Sequence, residues 1–299
     1  MASFRKLRVL AAAALYWSLP LHAEAAGCFS VLSDPTVRKA ADFADLAKTT
    51  TRKKVDGVKD FLHVEDTDTV NVDFYYVRFK NPPGKTLKAV FKEMRQKFGL
   101  FAEGFKKDFG FDAYGANRGD PNDKLYVKNA GLWKQDLPLD ALMSFNLDTL
   151  WPETFRSRRG GKVYNAATAD GDLQVTCASD TDFVFSTVES ERGGPHPVSG
   201  NRGFGLMDNG DGTWTFYSKA VDRKSAGAKN WMAGALAKIG AVDNVYCLGH
   251  GFWMQFYPLM QKYLRENGMS TSPNDFYHDN HGPVPFPLQD PLPKTTECG

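Results

Sequence analysis

The sequence predicts an α+β fold: an antiparallel β-sheet meander packed on long helices, with an extended Pro-rich C-terminal tail. Three observations lead there. Short β-branched or aromatic segments recur about every ten residues between 140 and 221, which is the spacing of an antiparallel meander. Apolar residues step by three and four over 85–109 and 251–266, the period of a helix buried on one side. Six prolines, from Pro273 to Pro293, fall within the last 30 residues and prevent a regular helix there.

Residues 1–25 read as a secretory signal. Arg5, Lys6 and Arg8 precede a short apolar run, and Ala23-Glu24-Ala25 is a small-x-small cleavage site. The domain plan is a 1–25 signal peptide, a single elaborated domain over 26–269 and a tail over 270–299. Within the domain, 33–135 is read as helical, 136–223 as β-rich and 224–268 as helical. Formal net charge is +2, from 37 Lys and Arg against 35 Asp and Glu. The leader carries three of the former and one of the latter, so 34 of each sign remain after cleavage. A neutral mature chain is not built to bind nucleic acid. No apolar run reaches the length of a membrane span. The expected location is secreted or periplasmic.

Asp34 caps and Pro35 starts a helix carrying Val37, Ala40, Ala41, Ala44 and Ala47. Residues 70–79 alternate as a strand, with Val70, Val72, Phe74 and Tyr76 opposite Asn71, Asp73 and Tyr75. The helix over 85–109 sets Leu87, Val90, Phe91, Met94 and Phe98 against Lys85, Lys88, Lys92, Arg95 and Lys97. Gly99 and Gly104 are its expected break points. Its basic face is a candidate for peripheral membrane contact. A short strand is expected near Leu125-Tyr126-Val127. Strands follow at 140–148, 162–169, 172–178, 182–189, 202–208 and 213–221, the last two joined by the turn Asp208-Asn209-Gly210-Asp211-Gly212. Helices are expected over 224–239, with Trp231, and over 251–266, where Pro258 must kink or delimit the helix. Asn267-Gly268 ends it.

Four cysteines in an exported chain favour disulfides. Of three possible pairings, Cys28–Cys298 with Cys177–Cys247 is expected, tying the ends and stapling the core. The sequence holds no nucleophile elbow, no zincin motif, no phosphate loop and no dinucleotide fingerprint. The turn at 208–212 lacks the alternating oxygen ligands of a calcium loop. His278-Asp279-Asn280-His281 reads as a polar turn, and no metal or cofactor is called for. The basic loop Arg156 to Gly161 reads as a solvated connection.

The stretch from Arg192 to Arg223 is the most unusual. Hairpin pairing brings Arg202 near Asp222 and Arg223, and His196 sits in the turn before them, so these four are expected to form one polar cluster. His196 or His250 beside Asp222 is the candidate acid–base pair. Arg202, Arg223, Trp231, Trp253 and Phe256 are the candidate ligand contacts.

His196-Pro197-Val198-x-Gly200-x-Arg202-x-Phe204, then Thr215-Phe216-Tyr217, Asp222-Arg223 and Phe252-Trp253 near the last helix, form a pattern over 140–265. It resembles START-like helix-grip domains, and also segments of uncharacterised bacterial secreted proteins and toxin-associated modules. The first resemblance implies a sheet curled around a C-terminal helix with an apolar cavity between them. The expected function is a secreted or periplasmic protein that binds a lipid or small hydrophobic ligand in an aromatic-lined cavity. Two alternatives stand beside it: an exported hydrolase using His196 or His250 with Asp222, and a membrane-acting secreted effector or toxin-like factor.

Overall fold

The computed structural model describes residues 27–28, 39–47, 55–56, 58–61, 69–102, 110–114, 122–146, 170–191, 194–196, 198–225, 245–280 and 284–292. The leader, the strand expected at 162–169, the basic loop at 156–161, the helix expected over 224–239 with Trp231, and Cys298 lie outside them.

The described strands form an 11-stranded antiparallel sheet. Its central path runs through β2 (Thr69–Lys80), β9 (Thr213–Lys224), β8 (Val198–Asp208), β6 (Asp182–Ser190), β5 (Asp170–Ala178), β4 (Leu142–Asn146) and β3 (Gly110–Ala113). Outside β2 lies β10 (Phe276–Asn280), while β1 (Val58–Phe61) and β7 (Gly194–Pro195) pair with β6 and β11 (Val284–Pro285) with β2. From β3 to β6 each strand pairs with its successor, as a meander should. The chain then joins β9 to the early strand β2, with Asn71 opposite Asp222 and Lys80 opposite Thr213.

The turn between β8 and β9 is built as its residues require. Gly210 and Gly212 adopt positive φ (75° and 81°), a conformation that a Cβ disfavours. Asp208 Oδ1 accepts from Gly210 N at 2.8 Å, and Asp211 Oδ1 from Thr213 N at 3.0 Å.

Both faces of the sheet are covered. Successive side chains alternate between faces, and on one side Tyr75, Val77, Phe79, Phe204, Phe216, Phe183 and Phe185 meet the helices α1 (Leu87–Gln96), α2 (Phe98–Ala102) and α4 (Val245–Glu266). On the other side Val70, Val72, Phe74, Val184 and Tyr217 pack under Ala40, Phe43 and Leu46, and under Val284 and Leu292 of the C-terminal segment. This second layer explains why β2 is buried on both faces.

Several expectations need correction. The helix over 85–109 divides at Lys97 into α1 and α2, so Gly99 lies inside a helix and does not break one. Arg95 is no part of a solvated basic face. It is buried, its guanidinium donates to the carbonyls of Trp133 and Gln135, and it lies 4.9 Å from the Trp133 ring. Burial lowers its pKa to about 10. The lysines of this face are ion-paired: Lys85 and Lys97 with Glu93, Lys88 with Asp180, and Lys92 with Asp136.

Residues 125–127 form no strand. They lie in α3 (Lys124–Lys134), because Asp123 Oδ1 accepts from the free amides of Leu125 and Tyr126 and so starts a helix. Asp34 and Pro35 lie outside the described residues. The alanines after them form a 3-10 turn at Ala40–Phe43, not an α-helix. Pro258 does not delimit α4, which runs through it. The proline lies on the exposed side of that helix. His278, Asp279 and Asn280 are no turn. They form β10, opposite Tyr75, Phe74 and Asp73 of β2. The tail is thus partly an added pair of strands.

The disulfide expectation fails in both halves. Cys28 bonds to Cys177, with Cα atoms 5.6 Å apart. The backbone amide of Cys28 donates to the Asp182 carboxylate at 3.1 Å, which holds the N-terminal segment across the ends of β5 and β6 beside Cys177. Spacing alone could not reveal this, because the partners lie 149 residues apart. Peptide mapping without reduction will find Cys28 linked to Cys177. Cys177→Ser will lower stability by about 2–5 kcal/mol, the usual loss for a disulfide closing a long loop.

Candidate functional site

The helix-facing side of the sheet is apolar at one end and polar at the other. The change follows the register. Along β2 this face carries Phe79, Val77, Tyr75, Asp73 and Asn71 in turn. Their partners on β9 are Trp214, Phe216, Ser218, Ala220 and Asp222. On β8 the matching row ends in Phe204, Arg202 and Gly200. Three neighbouring strands therefore end together in Asn71, Asp73, Arg202 and Asp222.

Arg202 holds this end. Its Nη2 lies 2.7 Å from Asp73 Oδ2 and 3.8 Å from Asp222 Oδ2, and its Nη1 donates to Ser218 Oγ at 3.3 Å. Its side chain is 11% exposed, against 5% for Asp73 and 14% for Asp222, so this is an ion-pair group largely out of water. Asn71 Nδ2 donates to Asp73 Oδ2 at 3.2 Å. Gly200 leaves room for Asp222: a Cβ there would stand 2.7 Å from Asp222 Oδ1 and still closer to the Val221 carbonyl oxygen.

The helix α4 supplies the cover. The Trp253 ring lies over the guanidinium, 4.1 Å from its carbon, a cation–π contact. Tyr75 stacks on Tyr257, with ring centroids 5.5 Å apart, and its hydroxyl forms a 2.8 Å hydrogen bond with His250 Nδ1. The His250 ring in turn lies 5.3 Å from that of His278, which is exposed at the rim. Beyond Trp253 the interface is lined by aromatic rings. Phe204 and Phe256 lie 5.7 and 5.2 Å from the Trp253 ring, and Phe98 and Phe183 continue the stack.

Burial governs the protonation of these groups. Burial, with neighbouring Asp73 in support, raises the Asp222 carboxyl to about 7 against the opposing pull of Arg202 and a hydrogen bond from Asn71. Burial likewise raises Tyr75 well above its ordinary value. It lowers His250, helped by His278, so that imidazole is neutral at pH 7. A raised carboxyl makes folding take up a proton. The folded chain keeps it between about 4, where an unfolded Asp titrates, and about 7. Stability from this group is therefore greatest below that window and falls as pH rises through it. Urea unfolding of the native chain and of Asp222→Asn at several pH values will show the native chain losing stability relative to the variant from pH 4 to 7.

The expected four-residue polar cluster forms only in part. Arg202 and Asp222 meet as the hairpin required. Arg223, one residue further along β9, points to the opposite face and lies over Phe286, 4.4 Å from its ring. His196 is elsewhere too. Its Nδ1 is 2.9 Å from the Val198 carbonyl oxygen, its own carbonyl accepts from Ser225 Oγ, and its ring packs on Gly171. Burial lowers its pKa to about 4. Among the described residues neither His196 nor His250 hydrogen-bonds Asp222. Trp253 and Phe256 lie in the aromatic interface.

Asn71, Asp73, Tyr75 and Ser218 belong to this site but were not among the candidates. The signal was the alternation of β2 itself, which put Asn71, Asp73 and Tyr75 on one face. The apolar residues between them drew the core assignment to the other face.

These features define a class: an antiparallel sheet that holds its C-terminal helix across an aromatic interface, with an ion-pair group at one end. No family model matches the chain, and no curated protein matches it. Among solved structures it is similar to Ara h 8.0201 at 8% identity, over 66% of this chain and 99% of that one, with a TM-score of 0.35. It is similar to the di-domain ARO/CYC StfQ of the steffimycin biosynthetic pathway at 10% identity, over 67% of this chain and 52% of that one, with a TM-score of 0.35. The major latex-like protein 151 of Panax ginseng matches at 6% identity over 64% and 97%, with a TM-score of 0.26. These neighbours are helix-grip proteins, in keeping with the weak resemblance noted over 140–265. No helix among the described residues is long and apolar enough to cross a membrane.

Proposed function

We propose that the chain is an exported protein that binds a lipid or other small hydrophobic molecule between α4 and the sheet. The observation that carries this is the graded interface. Aromatic rings from Phe98 to Trp253 are followed by an ion-pair group that a purely structural core does not need. Replacing such a buried pair by apolar residues is often neutral or stabilising, so its presence beside an aromatic interface is what a binding site for a molecule with an apolar body and a polar end requires. The rings now touch, so a ligand enters by separating α4 from the sheet. The first half of α4 suits that movement. Gly249 and Gly251 flank His250 and weaken the helix, and Pro258 removes one of its internal hydrogen bonds. The Cys28–Cys177 disulfide fits an oxidising compartment, as does the leader.

Native mass spectrometry of the protein recovered from an oxidising compartment tests the reading. The expected result is a mass excess that disappears on denaturation and extracts into organic solvent. A bare chain mass, together with no uptake of the neutral apolar dye Nile red, would overturn it.

A further inference from the structure

The polar end of the interface holds more acceptors than donors. Asn71 and Asp73 are 2% and 3% exposed. Among the described residues, Asn71 Oδ1 and Asp73 Oδ1 are buried without a hydrogen-bond partner. The donors that face them are already placed: Arg202 is spent on Asp73 Oδ2 and Ser218, and Asn71 Nδ2 on Asp73 Oδ2. A buried acceptor left unmatched costs about 1–3 kcal/mol, more for a charged group, so two together mark a place that a donor fills. Two carboxylates, Asp73 and Asp222, share one guanidinium, and above the Asp222 titration at about 7 this end lacks a positive charge. A fatty-acid carboxylate would bring further acceptors and a further negative charge to this end. An ammonium brings three donors and the missing positive charge.

We propose that the ligand is a cationic amphiphile, whose primary ammonium group docks at Asn71 Oδ1 and Asp73 Oδ1 while its apolar body lies along Trp253 and Phe256. This rests on the binding reading above and adds the head-group chemistry to it.

The test uses the full mature chain loaded with Nile red, displaced at pH 7.5 by decylammonium or decanoate, each below its critical micelle concentration, or by decanol below its solubility limit. Decylammonium is expected to displace the dye at a concentration at least tenfold lower than decanoate. Asp73→Asn should remove most of that preference. If Asp73→Asn does not fold, Asp222→Asn withdraws charge from the same end and should narrow the preference in the same direction. Equal displacement by all three compounds, or a preference for decanoate, overturns the head-group proposal and leaves the apolar binding reading standing. No Nile red uptake at all overturns both. A preference for decylammonium that both variants leave unchanged places the selectivity outside this site and overturns the proposal.

Discussion

Replacing Arg202 by Met is expected to destabilise the chain by about 3–5 kcal/mol at pH 7, the usual cost of removing one partner from a buried ion pair. Met fills much of the same volume, so the loss will come from charge. Among the described residues Asp73 then keeps no cation within reach, and Asp222 loses the larger of the two groups that hold its carboxyl down against burial, the other being Asn71. The Trp253 ring also loses the guanidinium beneath it. The effect should be strongly non-additive. Asp73→Asn in the Arg202→Met background should return stability, with a coupling of about 0.5–3 kcal/mol between the two sites. Urea unfolding of the two single variants and the double variant measures this. Lowering the pH to 5 should shrink the Arg202→Met penalty, because Asp222 is then protonated and needs no partner.

Phe98→Ala is expected to cost about 3–5 kcal/mol for a different reason. Phe98 opens α2 and touches rings from most of the structure's parts: Phe111 at 4.9 Å, Phe204 at 5.0 Å and Phe256 at 4.9 Å, with Phe145, Phe183 and Phe185 a little further off. These belong to β3, β8, α4, β4 and β6. The side chain is 1% exposed, and no neighbour can fill its place without giving up its own contacts. Thermal and urea unfolding will show a loss that does not depend on pH, in contrast with Arg202→Met. A loss under 1 kcal/mol would mean that the interface collapses easily around the gap, and that its aromatic packing is loose.

The core strands were legible in the sequence because one signal decided each of them. Two-residue alternation with turn residues at either end places β2, β6, β8 and β9, and Asp208 to Gly212 set the hairpin register that brings Arg202 to Asp222. Where two signals competed, the sequence misled. Tyr126 is aromatic and Val127 β-branched, but a cap at Asp123 outweighs the strand propensity of so short a run. Arg95 lies on the charged stripe of α1, yet the carbonyls of Trp133 and Gln135 are close enough to draw it inward. Long-range pairing was beyond local signals altogether. Nothing near Cys28 indicates Cys177, and nothing near Asp222 indicates Asp73, because β9 meets β2 only through the closure of the sheet. Half of the polar site was therefore visible, the half on one hairpin, and the half on β2 was not. His196 and Arg223 were drawn into the cluster by nearness along the chain. Strand alternation and the turn before β8 send them elsewhere.

The central claim is that a hydrophobic molecule binds between α4 and the polar-to-aromatic face of the sheet. Backbone amide chemical shifts, followed by NMR while decanol is titrated in, test it most directly. The account predicts saturable shifts concentrated at Tyr75, Arg202, Phe204, Trp253 and Phe256, with Val70, Val72 and Phe43 on the opposite side little changed. Shifts confined to that opposite side, or none at saturating decanol, would contradict it.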